Sequence, residues 1–132
     1  MKRRFLFSPQ FHKAFSAISS EKALPAVHKV AIAKMRMAFG VEEKIVAEVR
    51  DGLLLHYADK DEANNPICQQ TPNGIEYSVS MENRRKIDEE LAPVLEEDFH
   101  VSTLPLAAVV DLPCMDAELL GSLMEAGVVK EN

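Results

Sequence analysis

The residues with which this chain could do chemistry are four histidines, two cysteines and several runs of carboxylates. His12, His28, His56 and His100 stand far apart, and no two share the helical spacing that aims a pair of imidazoles at one metal ion. They read as ordinary surface or partly buried histidines. Cys68 and Cys114 have no C-x-x-C partner and are too few for a disulfide framework, so they read as reduced, structural thiols. Asp59-Lys60-Asp61-Glu62-Ala63-Asn64 opens like a calcium loop. However, Ala63 stands at the third ligand position, Asn64 where glycine makes the turn, and Gln70 where a bidentate Glu closes the shell. Glu89-Glu90 and Glu96-Glu97-Asp98 offer adjacent carboxylates of the kind acid–base catalysis uses. On a helix such runs are usually a solvated face. The glycines are isolated, which rules out a phosphate-cradling loop, and there is no G-x-S-x-G. The expectation is a protein that is not an enzyme, with no catalytic residue, no metal and no cofactor.

The elements that carry these residues follow from spacing. Lys2 to Phe7 reads as a short strand with Phe5 and Phe7 on one face. Ser8-Pro9 then suits the cap and first position of a helix over 9–19, with Phe11, Ala14, Phe15 and Ile18 inward. After Leu24-Pro25, the residues Val27, Ala31, Met35, Ala38, Ile45, Val49, Leu53 and Tyr57 recur at spacings of three, four or seven, the stripe of an amphipathic helix over 26–57. Gly40 is the expected break or kink, and an unbroken helix would span ~48 Å. Around Pro72-Asn73-Gly74 the spacing predicts a hairpin with a three-residue loop and a bulge, pairing Ile67 with Val79 and Gln69 with Tyr77.

Ser80 reads as the cap of a second helix from Met81, with Ile87, Leu91, Val94 and Leu95 buried and Pro93 kinking or ending it. Phe99 and Val101 alternate with polar neighbours as in a strand, and Leu104–Leu112 is apolar and irregular. Met115–Ala126 reads as a last helix closed by Gly127. The fold class is therefore α+β: an antiparallel helical hairpin connected through a small β-hairpin, with an N-terminal helix, a short extra strand and a C-terminal helix. At 132 residues a single domain is expected, with loose ends at 1–4 and 129–132.

Charge adds a constraint. Residues 1–36 hold eight bases (Lys2, Arg3, Arg4, Lys13, Lys22, Lys29, Lys34, Arg36) against Glu21 alone, a balance of +7. The remaining seven bases and twenty acids give −13, for a net −6. An antiparallel return pairs positions summing to about 138, so Glu96 and Glu97 lie across from Val41 and Glu42. A second helix over 81–97, ~25 Å long, cannot reach the bases at 22–36. Their partners are then the C-terminal acids Asp111, Asp116 and Glu118, another subunit, or something outside the protein. One candidate is nucleic acid, held by Lys2, Arg3, Arg4, Lys29, Lys34 and Arg36 with Phe5 and Phe7 interleaved. The other reading places Phe5 and Phe7 in the core. The overall acidity favours that second reading.

The longest uncharged stretch, Val101 to Val110, is about half a membrane span and contains Pro105. The apolar run after Met1-Lys2-Arg3-Arg4 ends at Ser8-Pro9, far short of a signal peptide. No membrane contact and a cytoplasmic location are expected.

The segment Tyr57-Ala58-Asp59-Lys60-Asp61-Glu62-Ala63-Asn64-Asn65-Pro66, a short hairpin, then Glu89-Glu90-Leu91 and Glu96-Glu97-Asp98-Phe99-His100-Val101 resembles small proteins of tailed bacteriophages and prophages. These carry a "Y-x-x-K-D-E-x-G-N" turn and a charged helix ending in acids before a strand. Ala23-Leu24-Pro25 through Ala31, and Leu119-Leu120-Gly121-Ser122-Leu123-Met124, fit the same outline. The resemblance spans most of the chain but consists of turn and periodicity motifs, and Ala63 departs from the glycine expected in the turn. It brings no catalytic residue. It implies a small accessory phage protein, in virion assembly or facing the host, whose partner is another copy of itself or another phage or host protein. The stripe around Val27, Ala31 and Met35, beside Lys29, Lys34 and Arg36, is the expected partner-binding surface.

Overall fold

Ser8 fixes the start of the first helix: its hydroxyl accepts the Phe11 amide at 3.3 Å, and Pro9 fills the position where a missing N–H costs nothing. Helix α1 runs Pro9–Ser19 with Phe11, Ala14 and Ile18 buried, as their spacing predicts. In this computed structural model, which describes residues 1–131, α2 runs Ala26–Tyr57 without a break. Gly40, the better placed of its two glycines to break it, does not interrupt it, which decides between a broken and an unbroken helix. A glycine weakens a helix by ~1 kcal/mol but still offers its N–H and C=O to the ladder.

The chain divides into two compact units, one formed by Met1–Glu43 with the chain from Glu96 onward, the other by Lys44–Leu95. The second unit holds the hairpin, β1 (Cys68–Thr71) and β2 (Gly74–Tyr77), which pair antiparallel. The register pairs Cys68 with Tyr77 and Gln70 with Ile75, one residue off the expected pairing, because only Pro72 and Asn73 lie between the strands. Gly74 takes the positive φ (114°) that the turn was expected to need. Thr71 closes the turn, its hydroxyl donating to the Gly74 carbonyl at 2.8 Å.

At the hairpin base, the Asp59 amide donates to Ser78 O, the Ile67 amide to Asp59 O, and the Ser78 amide to Ile67 O, at 2.7–2.9 Å. In the preceding turn the left-handed residue is Asn64 (φ 64°), not Ala63, and the Asn65 amide donates to Asp61 Oδ1. Asparagine tolerates that conformation where most residues do not, so the turn needs no glycine.

Helix α3 runs Met81–Glu96, capped by Ser80 as expected, with Pro93 accommodated one turn from its end. Ile87 and Leu91 meet Val79, Leu53, Leu54, Tyr57 and Tyr77 in the second unit's small core.

The first unit has the larger core, built on α1, the first half of α2 and the C-terminal elements: β3 (Leu104–Pro105), α4 (Leu106–Val109), α5 (Ala117–Ala126) and β4 (Val129–Lys130). Strands β3 and β4 pair parallel, Leu104 with Val129. Four phenylalanines form its centre: Phe39 lies edge-on to Phe11, Phe15 and Phe99 at 5.7, 5.0 and 6.3 Å. Phe11 and Phe39, the two that are fully buried, contribute roughly 1.5–3 kcal/mol each by burial. Asp116 caps α5 through the Leu119 amide at 2.8 Å, and Gly127 (φ 86°) ends it. The fold class is α+β, as expected.

Several local expectations are corrected. Residues 3–7 form a 3-10 helix, not a strand, with Leu6 buried and Phe7 exposed. Their bonds close locally, Phe5 N to Lys2 O and Ser8 N to Phe5 O, at 3.2 Å each. Phe99–Val101 forms no ladder; the Phe99 amide instead donates to Met1 O at 2.9 Å, beside a bridge between Lys2 and Asp98. Residues 1–4 and 129–130 are therefore not loose: both engage the first unit's backbone, and Val129 is buried. Asn132 of that expected end lies outside the described residues.

A Cβ built on Gly40 meets nothing within 4 Å. Gly40→Ala should therefore raise unfolding stability by ~0.5–1 kcal/mol, measured by urea denaturation. A loss of stability would mean that the helix bends there in solution.

Candidate interaction surface

The bases at the start of the chain are consumed by the fold. Arg3 Nε donates to Glu42 Oε2 at 2.8 Å, and Arg3 Nη1 lies 3.3 Å from Glu97 Oε2. The Arg3 and Glu42 side chains are only 14% and 16% exposed, so this pair is mostly shielded from water. The hydrogen bond to Glu42 pushes the guanidinium pKa up from its already high value. Lys2 Nζ reaches Glu96 Oε2 at 3.4 Å and the Glu96 carbonyl at 3.1 Å, while Arg4 Nε reaches Glu96 Oε1 at 3.1 Å and stacks over Phe5.

Glu42 and Glu97 thus share one guanidinium, in agreement with the pairing expected across the two helices. Lys2, Arg3 and Arg4, the first half of the expected nucleic-acid cluster, are committed to carboxylates of their own chain. The same contacts give Glu96 and Glu97 ion-pair partners within the fold.

The second basic group behaves differently. Lys29, Lys34 and Arg36 are exposed on α2, and among the described residues none is within ion-pair distance of a carboxylate. The expected C-terminal partners Asp111, Asp116 and Glu118 are not brought to them.

The apolar half of the expected surface is redistributed. Met35 is 1% exposed and part of the core, Ala31 packs half-buried against it, and only Val27, 69% exposed, faces solvent. Met35 is covered because the buried face of α2 is Ile32, Met35 and Phe39, turned by about 60° from the stripe read off the sequence, at 100° per residue. Burying that face leaves a second apolar stripe outside. Val27, Val30, Met37 and Val41 are all more than half exposed, and with Lys34 they fall at alternating spacings of three and four, the seam pattern of a coiled coil. Val30, Met37 and Val41 were missed from sequence. The 27–30–34–37–41 spacing was the signal that could have found them.

The other reactive residues do not converge. The His12 ring bonds the Leu6 carbonyl next to α1. Cys68 is exposed on β1, and Cys114 lies half-buried ahead of α5. Burial, and then its hydrogen bond to Glu21, push the Cys114 thiol up. Glu21 is held below the usual carboxylate range by the Ala23 amide and then by that thiol. In the second unit, the Glu90 carboxylate bonded to the Tyr57 phenol holds Tyr57 above its usual range. Among the described residues no three His, Cys, Asp or Glu side chains are grouped to hold a metal ion. A polar cleft of about 180 Å3 is lined by Arg4, Phe5, Ser8, Gln10, Phe11, Ser122 and Glu125. Two of its polar groups are already committed, Arg4 to Glu96 and Ser8 to the α1 cap.

Among the described residues, no helix is long and apolar enough to cross a membrane. The chain matches no protein-family model, no curated protein and no solved structure.

Two outcomes follow from this geometry. Arg3→Ala should cost roughly 1–3 kcal/mol of unfolding stability, and a double-mutant cycle with Glu42→Ala should show coupling; additive losses would mean that the pair is not formed. Iodoacetamide at pH 8 should modify Cys68 several-fold faster than Cys114, followed by peptide mass spectrometry. Equal rates would contradict the burial of Cys114.

Proposed function

We propose that this chain is a small non-enzymatic accessory protein of the phage and prophage type, which acts by holding another protein, with virion assembly as its setting. The observation that carries the reading is the exposed seam of Val27, Val30, Met37 and Val41. Apolar residues aligned at seam spacing on one helix face, with cations beside them, suit a protein partner that buries the stripe and pairs the charges. The phage setting rests on the resemblance around Tyr57–Val101. A gene position among capsid and tail genes would support it, and one among replication genes would count against it.

Lys29, Lys34 and Arg36 keep a second reading open, nucleic-acid binding, because the fold leaves them unpaired. It is the weaker reading. The loss of Lys2, Arg3 and Arg4 to the fold halves the cluster, and a phosphate backbone would leave the apolar seam wet.

A photo-crosslinking amino acid placed at Met37 tests the two together in cells that produce the protein. Protein adducts that disappear when Val30→Glu is added are the expected result. An absence of protein adducts, together with low-salt oligonucleotide binding that Lys34→Glu abolishes, would overturn the proposal in favour of the second reading.

A further inference from the structure

We propose that the α2 seam of one copy receives the acidic C-terminal surface of a second copy, so that the chain associates head to tail. This rests on reading the seam as a protein-contact face and names its occupant.

The charge of the seam selects the occupant. From Ala26 to Val41 the helix carries Lys29, Lys34 and Arg36 and no acid. Two such segments laid together in parallel would put Lys34 on Lys34, and laid antiparallel would bring six cations together without one carboxylate. A symmetric pairing of this face with itself is therefore disfavoured.

The complementary surface is present in the same unit. Between Val101 and Val129 there is no Lys, Arg or His, while Asp111, Asp116, Glu118 and Glu125 are all exposed. The outward face of α5 consists of Ala117, Glu118, Gly121 and Glu125, opposite its buried Leu123 and Ala126. A Cβ built on Gly121 meets nothing within 4 Å, so this face is shallow as well as acidic. In the chain leading to α5, Val110, 43% exposed, precedes Asp111. Branched and flexible side chains such as Val27, Val30 and Met37 seat well against a small-residue face, and methionine adapts to its contour.

Within one copy the two surfaces do not meet. No ion pair joins them among the described residues, and each is the outward side of a helix whose inward side packs into the same core. Asp116 caps α5, so Asp111, Glu118 and Glu125 are the acids left for a partner. Because two different patches meet, each contact leaves one patch free on each copy, and the contact propagates into chains or a ring.

Sedimentation velocity over a concentration series tests this, with circular dichroism confirming that each variant is folded. The wild-type protein should gain mass with concentration, and raising salt from about 50 to 500 mM should weaken association roughly tenfold. The basic-face variant Lys29→Glu/Lys34→Glu/Arg36→Glu and the acidic-face variant Asp111→Lys/Glu118→Lys should each remain single chains. Their equimolar mixture should associate again, because it retains one intact pair of surfaces and its two reversed surfaces are once more opposite in charge.

A wild-type protein that stays a single chain throughout, an acidic-face variant that associates as the wild type does, or a mixture that stays dissociated would each overturn the proposal. If the wild type stays single while position 37 crosslinks to a different protein, head-to-tail association fails and the contact-face reading stands. If no protein adduct forms either, both fail.

Discussion

Helix α2 carries apolar side chains on two opposite faces of its first half, and a unit of this size has one core to offer them. The core takes Ile32, Met35 and Phe39, because that face meets the phenylalanines of α1 and Phe99 edge to face while Leu123, Val128 and Val129 close in behind. Val27, Val30, Met37 and Val41 are left outside. Removing four such side chains from water would be worth several kcal/mol. Their exposure on a long, regular helix is therefore the feature that an account of function has to use.

The charges divide along the same line. Bases at the start of the chain are drawn onto the acids around Glu96, with Arg3 between Glu42 and Glu97 sealing one edge of the first unit. Lys29, Lys34 and Arg36 stay with the exposed seam, and among the described residues no ion pair neutralises Asp111, Asp116, Glu118 or Glu125. The charges of the first unit thus fall into one region of paired bases and acids and two unbalanced ones of opposite sign. Unbalanced fields beside an apolar stripe steer and orient an encounter more than they tighten it, so specificity would come from charge and affinity from the stripe.

The elements with strong local signals were legible in the sequence. Ser8-Pro9 and Ser80 mark the helix starts that the structure shows, Gly127 marks the stop, and the turn at Pro72-Asn73-Gly74 was recognisable from its residues. What failed depended on long-range contact. Periodicity finds a stripe on α2, but with two apolar faces present it settled on a direction between them, and so assigned Met35 to a partner when the first unit's core takes it. Residues 2–7 alternate like a strand, yet pairing with the chain around Asp98 ends at Arg3, and from there the backbone closes on itself before Ser8. The hairpin register differs by one because the strands close directly around Pro72 and Asn73, although Pro-Asn-Gly has the residue preferences of a bulged three-residue loop. Of the candidate surface, Val27, Lys29, Lys34 and Arg36 were correctly placed outside. Val30, Met37 and Val41 were not foreseen, since no local rule distinguishes a seam that faces a core from one that faces solvent.

The central claim is that α2 buries the Met35 side and exposes the Met37 side. Methyl NMR of methionine-labelled protein, dilute and in high salt, with a soluble paramagnetic quencher, reads the two residues separately. The account predicts strong broadening of the Met37 methyl and protection of the Met35 methyl. Quenching of Met35, or protection of Met37 under those dissociating conditions, would show that the core has taken the other face and would contradict the account.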